Sequence, residues 1–320
     1  VATHALIPPQ VNRSVSGSEQ LGGQVAAHVV EERADGIVVR GARVLATGGP
    51  IADELLVLPS TVLRGGPDDA PYSYAFAIPN DAPGLRYYCR RPLQHGGSLH
   101  DEPLARRFEE MDAIVVFDDV LVPHDRVFLL GQPERCNELY AATGAAALMT
   151  HQVVTRTIAK TEHYLGLASE IAAGIGIERF QHVEEQLAEL IAYVELQKAV
   201  LRASEVDGAV GAHGMFLPRW ETLNAARNWY PRHVAHRLPE IVRTLSASGL
   251  MALPVEADLA SPDARADLDR YLQGATLTAE ERVRLFSLAL DASVTGFAGR
   301  ESLYERFFFG DPVRMAGAGA

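Results

Sequence analysis

The chain reads as an α+β protein, with an antiparallel β-barrel or sandwich domain followed by a C-terminal four-helix bundle. Three observations predict this. Short alternating apolar stretches, punctuated by Gly, Pro and Asp, fill the first part of the chain. From about Pro133 the composition turns rich in Ala, Leu and Ile. Apolar positions then recur at helical spacing. A length of 320 residues suffices for one large or two medium domains. The boundary falls between 1–132, the β domain, and 133–320, the helical domain.

In the first domain, strands are expected over QVAAHVVEE (24–32), 36–47, ELLVLPS (53–59), YSYAFAIP (72–79), LRYYCR (85–90) and AIVVFDDVLVP (113–123). GGPDDAP and PNDAPG supply turn residues between them. The run GIVVRGARVLATGG, from Gly36 to Gly49, reads as two short strands around a tight turn at Arg40-Gly41. The alternation of Val38 with Arg40, and of Arg43 with Leu45, fits half-buried strands. The run ends in Thr47 and a glycine pair. Glycines after a strand let a backbone or a planar ligand come close, and a hydroxyl there suits a polar ring system. An ordinary hairpin accounts for the same residues.

In the second domain, 137–175 contains no proline. Val183, Leu187, Leu190, Ile191, Val194 and Leu201 follow at helical spacing, with Glu184, Glu185 and Glu189 on other faces. Further helices are expected at 219–248 and 279–307. Thr278, with Glu281 three positions on, forms a capping-box pattern before the last of them.

Composition excludes several function classes. Charged residues at 22% and hydrophobic ones at 48% are ordinary for a soluble globular protein. No apolar run approaches the roughly 18 residues that span a bilayer. A net charge of −12 without a basic stripe argues against nucleic-acid binding, and Arg90-Arg91 and Arg106-Arg107 read as solvated loop charges. Cys89 and Cys136 lie far apart, outside any metal-ligand spacing, so a reducing cytoplasm is the simplest location. There is no secretory signal. The chain begins at Val1 with residues that look like the interior of a fold, from which a preceding N-terminal segment is expected.

No nucleophile elbow, P-loop or His-Glu-x-x-His motif is present. His233 and His236 could share a helix face, but no Cys or acidic residue completes a metal site, and exposed helix histidines explain them better. His4 sits where an extended segment enters a Pro-Pro turn and a polar cluster. A histidine there can accept and return a phenolic or alcoholic proton, or it can cap a turn. Ser60 and Thr61 close a strand with two hydroxyls. His151, Gln152, Arg156 and Lys160 recur about every four residues, a stripe whose default explanation is a solvated face. Phe307-Phe308-Phe309 precedes a turn and reads as core rather than as a cover for a planar ligand.

Taken together, THALIPPQVNRS, ADGIVVRGARVLATGG, RRFEEMDAIVVFDDVLVPHDRVF and YERFFFGDP resemble the oxygenase component of two-component, FAD-dependent phenol hydroxylases, the 4-hydroxyphenylacetate 3-monooxygenase family. The resemblance implies an acyl-CoA dehydrogenase-like fold whose N-terminal helical domain is absent here. It implies an enzyme that uses reduced FAD, delivered by a separate NAD(P)H:flavin reductase, and molecular oxygen. The product would be a catechol, made from a phenol such as 4-hydroxyphenylacetate through a C4a-hydroperoxyflavin. By the same resemblance, His4 is the catalytic and substrate-contacting histidine, and Ser60 and Thr61 belong to a substrate-side loop. Gln10, Val11, Asn12 and Arg13 run along the flavin, and Thr47 meets the isoalloxazine edge. Gln152 and Arg156 lie near the cofactor, and Gly310, Asp311, Pro312 and Val313 form a turn that helps hold it. A cytoplasmic homotetramer is implied, with no membrane or nucleic-acid partner.

Within the fold, the alternatives are an acyl-CoA dehydrogenase, which needs a catalytic carboxylate, and a 4-hydroxybutyryl-CoA dehydratase relative. The latter needs cluster-binding cysteines, yet position 158, a heptad after His151, is Ile. A non-catalytic oligomeric scaffold would have no use for His4, Thr47 and Ser60 together.

Overall fold

The computed structural model describes residues 1–12, 14–15, 18–59, 63 and 67–308. They form two compact units. One takes Val1–Pro92 and Glu110–Ala142; the other takes Leu93–Glu109 and the chain from Thr143 on. This division differs from a single boundary at 132/133 in two places, each with a polar cause. The excursion containing helix α1 (Ala105–Phe108) joins the helical unit because the buried Asp291 carboxylate accepts the Leu104 and Ala105 amides at 2.7 and 2.8 Å. Helix α2 (Pro133–Ala142) stays with the strands. Its Asn137 side chain exchanges two 2.9 Å hydrogen bonds with the Leu63 backbone, and its Tyr140 hydroxyl donates to the Pro59 carbonyl.

The first unit holds β1 (Ala2–Ala5), β2 (His28–Arg33), β3 (Gly36–Arg43), β4 (Glu54–Val57), β5 (Tyr74–Pro79), β6 (Leu85–Cys89), β7 (Ala113–Pro123) and β8 (Val127–Leu130). They make two open four-stranded sheets, ordered β1-β4-β5-β8 and β2-β3-β7-β6. Every pairing in them is antiparallel except β1 with β4, where His4 lies opposite Leu56 in a parallel ladder. Both sheets feed one apolar core. Leu55, Val57, Phe76 and Ile78 come from one, and Ile37, Val39, Val115 and Phe117 from the other. The Phe76 and Phe117 rings meet edge to face at 6.1 Å, a geometry that suits their quadrupoles.

No turn exists at Arg40-Gly41. β3 runs through it, with a bulge against β7 between Val39 and Gly41. Gly41 has φ +114°, and a Cβ there would stand 2.5 Å from the Ala26 carbonyl oxygen. The local signal was a glycine, and a bulge demands one as much as a turn does. The hairpin turn sits one step earlier, at 34–35, where Arg33 faces Gly36.

The second unit is helical. Its long elements are α3 (Ala145–Ile175), α4 (Gln181–Val206), α5 (Trp220–His233), α6 (Arg237–Ser246), α9 (Ala279–Ser293) and α10 (Gly296–Phe307); the short α7 (Glu256–Leu259) and α8 (Pro262–Tyr271) lie between α6 and α9. Tyr164, Leu167, Ile171, Leu190, Leu238, Ile241 and Phe286 are among its core side chains. Gly144, in a left-handed conformation, separates α2 from α3, and left-handed Gly176 caps α3. The expected helix over 219–248 is broken at Val234, between α5 and α6, and Pro231 lies within α5. That over 279–307 is broken at Val294, after which Thr295 caps α10. The Thr278–Glu281 capping box is present, with both reciprocal bonds made. Among the described residues no helix is long and apolar enough to cross a membrane.

Candidate functional site

His4 lies on β1, whose alternation turns Thr3 and Ala5 inward and leaves His4 outward. The imidazole is exposed, yet enough protein crowds it for desolvation to hold its pKa below the ordinary histidine value. Among the described residues nothing hydrogen-bonds to the ring. Among the described residues the imidazole is therefore unengaged, and its lowered pKa leaves it neutral at neutral pH. The strand that carries it is tied on both sides. Thr3 Oγ1 donates to the Thr47 carbonyl at 2.5 Å, and Val44 N–H donates to the Ile7 carbonyl at 2.8 Å.

Thr47 follows β3 and is half-buried. Its hydroxyl donates to Asp112 Oδ1 at 2.7 Å, while Asp112 Oδ2 accepts from Arg90 Nε at 2.9 Å. The hydroxyl proton is thus committed to Asp112, and its lone pairs remain for a donor. Asp112, immediately before β7, was not singled out by sequence reasoning. The two glycines differ in what they do. A Cβ on Gly48, at φ +66°, would meet nothing within 4 Å, so this position faces open space. A Cβ on Gly49 would come within 2.8 Å of the Tyr87 ring, so this glycine serves packing. Burial pushes the Tyr87 phenol up to about 12, consistent with that enclosure.

Gln10, Val11 and Asn12 lie in an exposed loop shaped by Gln20, which motif reading missed. Gln20 is 5% exposed, and its Oε1 accepts the Val11 and Asn12 amides at 2.7 and 3.2 Å. The Asn12 side chain accepts from Ser14. Two backbone donors that could have met a ligand are occupied, which leaves the Gln10 amide and the exposed Val11 side chain to face one. Arg13, Ser60, Thr61, Gly310, Asp311, Pro312 and Val313 lie outside the described residues.

In the helical unit, Gln152 is exposed. Arg156 is not part of a solvated stripe. Its two terminal nitrogens bind the Glu305 carboxylate, the second at 3.0 Å, and Lys160 reaches Glu301 and Glu305 at 2.6 Å each. The guanidinium also lies 5.0 Å from the Tyr304 ring centroid and 5.7 Å from that of Phe308. His151 meets Glu205 at 2.8 Å. Arg156 and Lys160 are therefore half of an interhelical ion-pair network, its other half supplied by residues 141 to 149 positions later in the chain. Phe307 is exposed rather than core. His233 stacks on Trp229, and no group of three potential metal ligands occurs among the described residues.

Comparison with known proteins accounts for both halves of the chain. Residues 1–129 match the family model described as 4-hydroxyphenylacetate 3-hydroxylase N terminal, and residues 136–319 match its C-terminal counterpart. The 4-hydroxyphenylacetate 3-monooxygenase oxygenase component of Thermus thermophilus is 50% identical over 313 residues, which are 98% of this chain and 64% of that protein. A crystal structure of an oxygenase component (HpaB) complexed with FAD and 4-hydroxyphenylacetate superposes with a TM-score of 0.94 at 49% identity, covering 99% of this chain and 66% of that one. Butyryl-CoA dehydrogenase from Megasphaera elsdenii, at 14% identity and a TM-score of 0.53, shares the fold alone. The sequence motifs, the paired sheets with their helical unit and both family matches agree: the chain belongs to the 4-hydroxyphenylacetate 3-hydroxylase family.

Proposed function

We propose that the protein is the oxygenase of a two-component system that hydroxylates a small phenol, such as 4-hydroxyphenylacetate, ortho to its hydroxyl group. The observation that carries this reading is His4: a neutral, unengaged imidazole on a strand tied to the Thr47 carbonyl. Its proposed task is to take the phenolic proton, which raises electron density at the ortho carbon, and to return that proton once the ring has been oxidised. Reduced FAD, when bound, supplies the two electrons with which one atom of dioxygen enters the ring and the other leaves as water. The ring hydrogen replaced by the new hydroxyl departs as a proton, so the balance closes on catechol, oxidised FAD and water.

The β unit fits such a cofactor. Gly48 faces open space, the Thr47 hydroxyl keeps its lone pairs for a flavin donor, and Val11 offers an apolar surface to a planar ring. Gln10 would contribute its side-chain amide, and Asn12 and Arg13 are proposed as further cofactor contacts. Ser60 and Thr61 are proposed as contacts of the phenol, and Gln152, Arg156 and Gly310 to Val313 as further contacts of the cofactor. Arg156 could serve it only while holding Glu305. We further infer that the two sheets act as one sandwich over 1–132, on the flavin and substrate side. Over 133–320, α3, α4, α5–α6 and α9–α10 would form a four-helix bundle that serves flavin binding and assembly into a homotetramer. A separate NAD(P)H:flavin reductase would provide reduced FAD, in the cytoplasm.

The chain spans about two thirds of the length of these relatives. The test is therefore made on the protein that carries these residues in nature. It is supplied with reduced FAD, oxygen and a panel of phenols, and products are followed by mass. A gain of one oxygen atom on 4-hydroxyphenylacetate supports the reading. No hydroxylated product, together with no binding of reduced FAD in an anaerobic titration, would sink it.

A further inference from the structure

Arg43 ends β3 with a side chain only 5% exposed. Among the described residues no carboxylate pairs with it. Its Nη1 donates to the Leu6 carbonyl at 2.7 Å and its Nη2 to the Tyr74 hydroxyl at 2.7 Å; the guanidinium carbon lies 5.3 Å from the Tyr74 ring centroid. Its Nε is buried with no acceptor among the described residues. Desolvating a guanidinium is unfavourable, and a carbonyl and a hydroxyl offset this less than a carboxylate would. For stability alone, an apolar side chain of similar volume would serve as well or better.

What an apolar side chain cannot do is fix a carbonyl in both distance and direction. The carbonyl that Arg43 fixes belongs to Leu6, two residues beyond His4. The Arg43 fork is itself braced, because Tyr74 is fully buried and donates its own hydroxyl to the Ala27 carbonyl at 2.5 Å. Leu6 stands at the point where β1 passes into Pro8-Pro9.

We propose that Arg43 is a positioning residue for His4: by gripping the Leu6 carbonyl, it sets where the imidazole stands relative to the phenol. The inference rests on the reading of His4 as the acceptor of the phenolic proton. Misplacing a reacting group by a fraction of an ångström to an ångström lowers rates steeply, whereas binding elsewhere is spared.

The experiment compares Arg43→Met, Arg43→Lys and Tyr74→Phe with the unsubstituted enzyme, using folded protein in each case. The readouts are peroxide released per catechol formed, KM for the phenol, affinity for reduced FAD, and the His4 ring resonances in nitrogen-labelled protein, assigned with His4→Gln. Arg43→Met should raise the peroxide-to-catechol ratio about tenfold or more. It should shift the His4 resonances and leave reduced-FAD affinity within about twofold. Arg43→Lys, which keeps the charge but not the fork, should recover part of the coupling. Tyr74→Phe should show a milder form of the same pattern. Wild-type coupling and unmoved His4 resonances in Arg43→Met overturn the proposal. If that variant does not fold, the same outcome in Arg43→Lys and Tyr74→Phe overturns it. Should His4→Gln remain fully coupled, the proton-acceptor reading falls instead, and the ring resonances still decide whether Arg43 positions His4.

Discussion

Replacing Glu305 by Gln keeps the size of a side chain that is only 5% exposed and removes the charge on which two cations converge. Arg156 binds both carboxylate oxygens, and Lys160 reaches one of them at 2.6 Å. Burial works against the carboxylate, but the Arg156 hydrogen bonds and the Lys160 and Arg156 charges outweigh it and hold its pKa below the usual value of 4.5. Breaking a buried pair costs about 3–5 kcal/mol. Arg156 and Lys160 are 24% and 22% exposed, and Lys160 keeps Glu301, so the low end, about 3 kcal/mol, applies here. For a domain of about 150–250 residues this is a fall of roughly 6–12 °C in Tm. The sign of the pH dependence follows from the depressed pKa. The stabilisation is fully present above about pH 4.5, where an unfolded glutamate is also ionised, and it is lost as pH falls through the lower folded value. Thermal melts of both proteins from about pH 8 down to about pH 3 should show a constant gap that closes only in acid. A variant within about 1 kcal/mol of wild type at neutral pH, or a gap undiminished in acid, would refute the argument.

The His4 imidazole, with its pKa below the ordinary 6.5, should remain competent as a base throughout the neutral range. Coupling of reduced-FAD oxidation to catechol formation should then be flat above about pH 6.5 and decline only below it; a decline centred above pH 7 would contradict this. Thr47→Val removes the bond to Asp112 and should cost about 1–2 kcal/mol by denaturant titration while weakening reduced-FAD binding; unchanged flavin affinity would remove Thr47 from the site. Gly48→Ala should lose about 1 kcal/mol through its left-handed backbone alone, since its Cβ meets nothing. Gly48→Asn, more tolerant of that conformation, should regain stability without regaining flavin affinity, and joint recovery of both would refute a ligand-facing role. Asp291→Asn weakens the anchor on Leu104 and Ala105 and should destabilise by about 2 kcal/mol. Hydrogen exchange should localise that loss to 93–109, and uniform loss across the helical unit would contradict the anchor.

What the sequence made legible was local. Alternation over 113–123 and 72–79 predicted strands where β7 and β5 lie, and the Thr278–Glu281 box predicted the start of α9. What it concealed was pairing between distant residues, which leaves no trace in periodicity. Arg156 and Lys160 look like a wet stripe until Glu301 and Glu305 come back alongside them. Residues 93–109 read as a loop of the β domain until Asp291, some 186 positions later, claims their amides. Gly41 shows the limit within a strand. Its residue type announced a special backbone conformation, but only the partners Val120 and Phe117 on β7 determine that this is a bulge. Among the proposed site residues, His4, Thr47 and Gly48 could be nominated because their types are unusual for their places. Gln20, Asp112 and Arg43, which orient those places, are ordinary residues in ordinary contexts.

That division has a physical reason. Segment 3–12 carries His4, Gln10, Val11 and Asn12 among the proposed contacts in the β unit, and it has little regular structure beyond β1 to hold it. Its polar backbone groups are satisfied instead by side chains arriving from elsewhere: Gln20 takes the Val11 and Asn12 amides, and Arg43 takes the Leu6 carbonyl. Both anchors are about 95% buried, whereas His4, Gln10, Val11 and Asn12 remain exposed. A buried amide or guanidinium tolerates few positions, because each unmet polar group there is costly. The exposed residues inherit that constraint without contributing to it. The proposed contacts are thus displayed on a segment whose own sequence does not dictate its path, and Gln20 and Arg43 hold that path from elsewhere in the chain.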